Sequence, residues 1–501
     1  MNGMEKRYFR LAVSVHGKTD ERNYMRLFDA ISQQKIYDEA ALRKELHGEE
    51  MLKRFDMSKN YLYRLVLNTL QNYHRHSSME ERLMNMLNRA VILHNKLLYK
   101  SCSEQLEKAG QTALQFEYYE IYLQIIQMKI RVAMAEKKDV RHTDPLHAEH
   151  GKALARISRI NEYRKQYHKL YTFFGKKGND LRVEGLKNQY AKFLKHPLLS
   201  GKIKPEGYEQ SNYFYLIQGL CYFCMGNSEK SYHFTQQQLK LIQQHPHRIK
   251  EDPETYITAL NSVIFYGSAL GKISELEKVF HELEEFLKGY PSKQHKIFIA
   301  YDNMMALYVT AGLFREGLVY ADRVKGELKN FEEKLFDSNK VSLYHDMFCI
   351  YFGCRKYEQS LEWLNRLLNE TGLEVREDIQ VTARLTNLIL HYELKNFDLL
   401  PYLLRRTYSF LNKRRRLNKL EKTLLQFVNK LLRVSSQNKR EIIELFREIK
   451  AAMEELTRKP DEARILTEYF DYIGWLESKI ENRSFEKIVR DKALKNLKSL
   501  K

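Results

Sequence analysis

Apolar residues recur at three- and four-residue spacing along almost the whole chain, and alternating Val/Ile/Thr runs are nearly absent. That period belongs to amphipathic helices, not to strands. It is clearest over 212–245. Gly226 and Asn227 tolerate left-handed backbone angles, so they end a first helix carrying Gly219 and Tyr222. The second helix carries Ser228, Ser231, Phe234, Leu239 and Ile242, and Pro246 closes the unit. Gly219 marks a point where only a small residue lets another helix approach. A lone hairpin of this size buries too little apolar surface to offset its chain entropy, so it requires neighbours.

The same pattern recurs. First helices are expected over 260–270, 296–310, 341–352 and 378–394, with second helices over 274–286, 313–328, 357–368 and 398–411. Corresponding positions after the turns are Ser228, Ile273, Phe314, Tyr357 and Phe397, about 40–45 residues apart, the range of stacked helical pairs. Upstream, 79–136 reads as a further hairpin with a long amphipathic helix over 114–135. Long helices are expected over 152–200, broken at 175–178 and ended by His196 and Pro197. Residues 1–78 read as three short helices. The first is capped by Asp20, the second starts near Asp38 with Leu42 and Leu46 inward, and the third begins at Ser58. The expected fold is all-α: a right-handed solenoid of stacked helical hairpins with an N-terminal three-helix cap. Its divisions are 1–78 (cap), 79–200 (hairpin and long helices), 201–412 (repeats) and 413–501 (a basic C-terminal cap).

Composition agrees with this outline. The 501 residues contain only 8 prolines and 21 glycines, too few for the tight turns of a sandwich or barrel. The formal net charge of +20 favours acidic partners: an acidic protein, nucleic acid, a ribonucleoprotein or an anionic membrane surface. The densest basic stretch includes Arg414, Arg415, Arg416 and Lys419, and the third N-terminal helix offers Lys59, Asn60, Tyr63 and Arg64. These eight residues are the candidates for nucleic-acid contact, in phosphate neutralisation or a helix-turn-helix-like arrangement. The alternatives are solvated helix faces and a solenoid cap. Five cysteines without framework spacing suit a reducing compartment. No apolar run is long enough for a signal peptide or a membrane span. The expected address is the cytoplasm, without membrane insertion.

Catalytic patterns are missing. There is no Gly-rich phosphate loop, nucleophile elbow or HExxH helix. His142, Asp144, His147, Glu149 and His150 cluster over 137–151, but loop composition favours a solvated connector over a metal site. Cys221 and Cys224 have C-x-x-C spacing within a helix and read as packing, as do Cys349 and Cys354. The adjacent His345 and Asp346 carry no assigned role. The 33 tyrosines suit packing between helix pairs better than base stacking. No enzyme, metal or cofactor is expected.

Three units resemble tetratricopeptide-type repeats. The residues are Gly219, Tyr222, Gly226 and Ser231 in one, Tyr308, Gly312, Phe314 and Gly317 in another, and Tyr351, Tyr357 and Ser360 in a third. The period is longer than that family's usual one of about 34 residues, and the first helices lack its signature Trp. The resemblance covers 80–135 and 211–412. It implies a concave groove that binds a peptide or protein segment, without catalytic residues. Tyr215, Tyr222, Asn261, Asn303 and Tyr344, on the first helices, are the expected groove residues.

Overall fold

A computed structural model describes residues 1, 3–15, 19–34, 37–48, 50–74, 78–177, 185–370, 372, 375–414, 416–434, 438–456 and 469–499. Among these, all regular structure is helical. The chain divides into two compact units, Met1–Glu162 and Tyr163–Lys501.

The first unit opens with α1 (Gly3–Val15), α2 (Thr19–Gln33), α3 (Glu39–Glu45) and α4 (Phe55–His74). Asp38 caps α3, its carboxylate accepting from the Ala41 N–H. Phe9, Leu27, Phe28, Leu42, Phe55 and Leu62 form the core of this part. α1 adds a helix to the three expected over 1–78. Phe9 and Val13, one turn apart, bury its inner face, a spacing hidden when the N-terminus is searched only for a long apolar run. α5 (Met79–Asn95), α6 (Tyr99–Gln115) and α7 (Tyr119–Ala135) follow and pack around Leu83, Leu106, Ile125 and Ile126. α8 (Val140–Lys177) begins here and ends in the second unit. Most of the expected connector over 137–151 is therefore helix. Leu146 and Ala153 pack on the α5–α7 core, and Glu149 accepts the Tyr122 hydroxyl, so tertiary burial overrides the polar local composition.

The second unit contains α9 (Leu186–Leu194), α10 (Gly207–Cys224), α11 (Ser228–Gln243), α12 (Pro246–Glu251), α13 (Pro253–Ser268) and α14 (Ile273–Lys288). It continues through α15 (Ile297–Ala311), α16 (Phe314–Phe331), α17 (Asp337–Gly353), α18 (Tyr357–Glu370), α19 (Glu377–Glu393) and α20 (Leu400–Lys413). It ends with α21 (Lys419–Leu431), α22 (Lys439–Leu456), α23 (Tyr472–Ile480) and α24 (Phe485–Ser499). The helix expected over 460–480 lies partly outside the described residues. α10/α11, α13/α14, α15/α16, α17/α18 and α19/α20 pair as hairpins, and α13 packs on α15, α15 on α17 and α17 on α19. Four of the second helices start at the corresponding post-turn positions Ser228, Ile273, Phe314 and Tyr357, within one residue of the helix bounds expected from the sequence, while α20 starts at Leu400, three residues beyond Phe397.

One turn recurs. Within two residues of the end of the first helix the backbone is left-handed, at Gly226, Gly312, Arg355 and Lys395, and the next amide donates back to Tyr222, Tyr308, Tyr351 and His391 respectively, each at 2.9 Å. This bond satisfies a carbonyl that the helix end would leave open. The first unit repeats it at Leu97, Glu117 and Lys137. A second recurrence fixes how closely the helices pair. In the fourth residue of the second helix, a small side chain donates to a carbonyl of the first. The pairs are Cys102 Sγ to Ala90 (3.2 Å), Ser231 Oγ to Gly219 (2.9 Å) and Ser360 Oγ to Phe348 (3.0 Å). In α14 that position is Leu276, and the first helix compensates with Gly267, where a Cβ would lie 2.7 Å from the leucine.

The chain's end returns to earlier hairpins. Phe470 packs on Phe352 at 5.1 Å, and Phe485 on Phe314 at 5.6 Å. The lysine-rich tail, expected as a cap on the repeats, forms α24 and lies against α15. Gly312 permits this contact, because a Cβ there would lie 2.4 Å from the Arg490 amide nitrogen.

Candidate binding cleft

Within the second unit, α13, α15 and α17 stand side by side and line a cleft of about 920 Å³. Residues 469–471 and α24 form another part of its wall. The polar side chains lining it occupy equivalent places. Asn261, Asp302 and His345 each precede the left-handed residue of their hairpin (Gly271, Gly312 and Arg355) by ten residues. Ser262, Asn303 and Asp346 follow them. α15 and α17 share the turn described above and pack side by side, which sets such residues in adjacent rows, and α13 carries its own at the same distance from Gly271. The flanking hairpins carry Leu216 and Leu385 at the first of these places, so that row is polar only from α13 to α17, whereas the second row stops at Ile217 on one side and continues to the buried Thr386 on the other.

Asp302 and Asp346 come within hydrogen-bonding reach of each other. Asp302 is half-buried, its open side facing the cleft, and Asp346 is buried. Burial raises the Asp302 carboxyl well above the usual range, and the neighbouring Asp346 adds to this. Burial likewise pushes Asp346 up to about 7. The pair therefore holds on to a proton that separate carboxylates would lose. Asp302 Oδ1 has no hydrogen-bond partner. Neither does the amide oxygen of Asn261, although its Nδ2 donates to the Ile257 carbonyl at 3.1 Å and the residue is only 6% exposed.

The other charges of the cleft are paired. Lys296 meets Glu254 at 2.8 Å, and Lys492 meets Asp471 at 3.1 Å and Glu477 at 2.9 Å. Arg376 meets Asp378 at 2.9 Å, and the Tyr469 hydroxyl donates to the same carboxylate at 2.5 Å. Against the effect of burial, Arg376 and Tyr469 hold Asp378 below the ordinary carboxylate range.

His345 Nδ1 lies 3.1 Å from Asp346 Oδ1, and its Nε2 lies 3.7 Å from Cys349 Sγ. This connectivity is that of a nucleophile, base and orienting acid. The thiol does not suit the role. Cys349 is 2% exposed, burial pushes its pKa up, and Sγ donates to the Tyr469 carbonyl at 3.6 Å.

Comparison with family models finds no match, and comparison with curated proteins finds none.

The residues singled out from the sequence fall in several places. Asn261 and Asn303 line the cleft. Tyr222 stacks on Phe234 with ring centroids 5.6 Å apart, and Tyr215 approaches the same ring at 6.4 Å. Tyr344 is buried against Trp363 at 5.6 Å and donates to Glu332. In the first unit, Lys59 pairs with Glu39 at 2.6 Å and Asp56 at 2.9 Å, while Asn60, Tyr63 and Arg64 are exposed on α4. In the second, Arg414 and Arg416 both reach Glu377, at 3.2 and 2.6 Å, and Lys419 opens α21. Arg415 lies outside the described residues.

Cys221 and Cys224 are fully buried and free, and burial raises both thiols. Among the described residues no group of three or more His, Cys, Asp or Glu side chains is placed to hold a metal ion. No helix among them is long and apolar enough to cross a membrane. Sequence reasoning assigned no site role to Asp302, His345 or Asp346. The common ten-residue distance of Asp302 and His345 from the left-handed Gly312 and Arg355, with Asp346 next in the chain, was the available signal.

Proposed function

We propose that this protein is a non-catalytic, cytoplasmic helical-repeat scaffold, a right-handed solenoid of tetratricopeptide-like hairpins whose concave side binds a peptide or protein segment. The observation that carries this reading is the cleft of about 920 Å³ walled by successive first helices, with polar side chains in matching register. Clefts of this volume suit a few side chains of an extended segment. The Cys349–His345–Asp346 contacts do not alter the reading, because a protonated, enclosed thiol is not a nucleophile. The nucleic-acid reading gains no comparable support. Lys59, Arg414 and Arg416 already have carboxylate partners, which reduces the charge they offer to phosphate.

A photo-crosslinking side chain placed at Asn303 and, separately, at Tyr63 tests the proposal in native lysate. The expected result is a discrete protein adduct from Asn303 that survives nuclease and is missing from Tyr63. Equal labelling from both positions, or none from Asn303, overturns it.

A further inference from the structure

We propose that the cleft holds a basic side chain, the ammonium or guanidinium group of a Lys or Arg in a bound peptide, seated on Asp302 and Asp346 with Asn261 as a further acceptor. This rests on the peptide-binding reading above. Three observations lead to it. First, the cleft contains acceptors without donors: Asn261 Oδ1 and Asp302 Oδ1 are enclosed and unpartnered. A buried acceptor left open is costly, so such atoms mark the place of a missing donor. Second, the neighbouring carboxylates of the cleft each have a cation. Glu254 has Lys296, Asp471 has Lys492 and Asp378 has Arg376. Asp302 and Asp346 have each other, Ser342 and His345 as close neighbours, and only the more distant charge of Arg376, which is itself bridged to Asp378. Third, the row that carries Asn261, Asp302 and His345 stops at Leu216 and Leu385, and the hydroxyl of Thr386, which extends the row of Asp346, is taken up by the Thr382 and Ala383 carbonyls, so the open acceptors are local to three helices.

A multivalent cationic donor meets all three conditions. An anion meets none, and an apolar group would leave the acceptors open. The net charge of +20 does not decide the sign here, because charges beyond about 8 Å are largely screened at physiological salt. A free polyamine shares the chemistry. A peptide is favoured because Phe265, 41% exposed, and Ile299 also line the cleft and offer apolar contact to flanking residues.

The proton shared by Asp302 and Asp346 competes with the incoming cation. The titratable groups around the cleft are Glu254 from α13, Lys296 just ahead of α15, His345 and Cys349 from α17, Arg376 just ahead of α19 with its partner Asp378, Tyr469 and Asp471 from the returning segment, and Lys492 from α24. Of the lysines, arginines and acids among them, each outside the pair is held in an ion pair. Binding therefore tightens as pH rises from 6 to 8.

The test uses the full chain and fluorescein-labelled decapeptide pools. One central position is fixed as Arg, Lys, norleucine or Glu, and the rest is randomised over non-ionisable residues. Anisotropy is expected to show the Arg or Lys pool binding about tenfold or more tightly than the norleucine and Glu pools. The double variant Asp302→Asn, Asp346→Asn should erase that preference while norleucine binding persists. Both changes remove charge from a buried site, so the variant is expected to fold. Equal binding of all four pools overturns the inference and leaves the scaffold reading standing. A cation preference that survives in the double variant also overturns it. Binding of spermidine without binding of any pool overturns the peptide as occupant and the scaffold reading with it.

Discussion

Replacing Asp346 with asparagine probes the electrostatics of the cleft through folding itself. In the folded chain the Asp346 carboxyl rises from 3.8 to about 7, with burial as the leading cause. The folded state then binds this proton more tightly than the unfolded chain between those values, so stability falls as pH rises through the window. Below pH 3.8 both states are protonated and no penalty exists. Above about 7 the penalty is complete. Three pH units at about 1.4 kcal/mol each set a ceiling of roughly 4 kcal/mol. The proton is shared with Asp302, and the cleft admits water on one side, so about 2–3 kcal/mol is the working figure. An amide keeps the oxygen facing His345 and supplies a permanent donor towards Asp302. Asp346→Asn should therefore stabilise the second unit by about 2–3 kcal/mol at pH 8 and leave it unchanged near pH 3.5. The chain has two tryptophans, Trp363 and Trp475, both buried in the second unit. Tryptophan fluorescence during urea unfolding thus reports that unit alone. A variant that is less stable at pH 8, or a difference that does not change with pH, would refute the reasoning.

Two further predictions use the same measurement. Lys395 is exposed and left-handed at φ 60°, so Lys395→Gly should stabilise by about 0.5–1 kcal/mol. A loss of stability would show that the lysine side chain matters more than the backbone angle. Gly353→Ala places a methyl 2.1 Å from the ring of Phe314, which is 1% exposed and held by Phe485. It should cost about 1–3 kcal/mol by overpacking, and an unchanged midpoint would mean that the ring has room to move.

Much of the helical framework could be read from local pattern. Spacing of apolar residues gave the hairpins, and Gly226, Gly271 and Gly312 gave their turns, because each signal lies within a few neighbouring residues. Turns made by Arg355 and Lys395 have the same left-handed angle without glycine, and the flanking periodicity was enough to place them. The helix over Gly3–Val15 and the onset of α8 at Val140 were missed for a common reason. Both are polar or short by local composition and are held as helices by distant apolar partners.

The candidate site was read only in part. Asn261 and Asn303 stood out as polar residues on first helices, whereas Asp302 was not singled out and Asp346 was noted beside His345 without a role. Two carboxyls 44 positions apart in the chain carry no joint signal until α15 and α17 pack side by side. The sequence alone determined that this chain is helical and where its hairpins turn, since backbone preference and apolar spacing act over one or two turns. The tertiary structure decided which faces meet, that Cys349 touches the carbonyl of Tyr469, and that residues 469–499 return beside the cleft. Such contacts are settled by the fit of side chains across distant segments, and no short window of sequence records it.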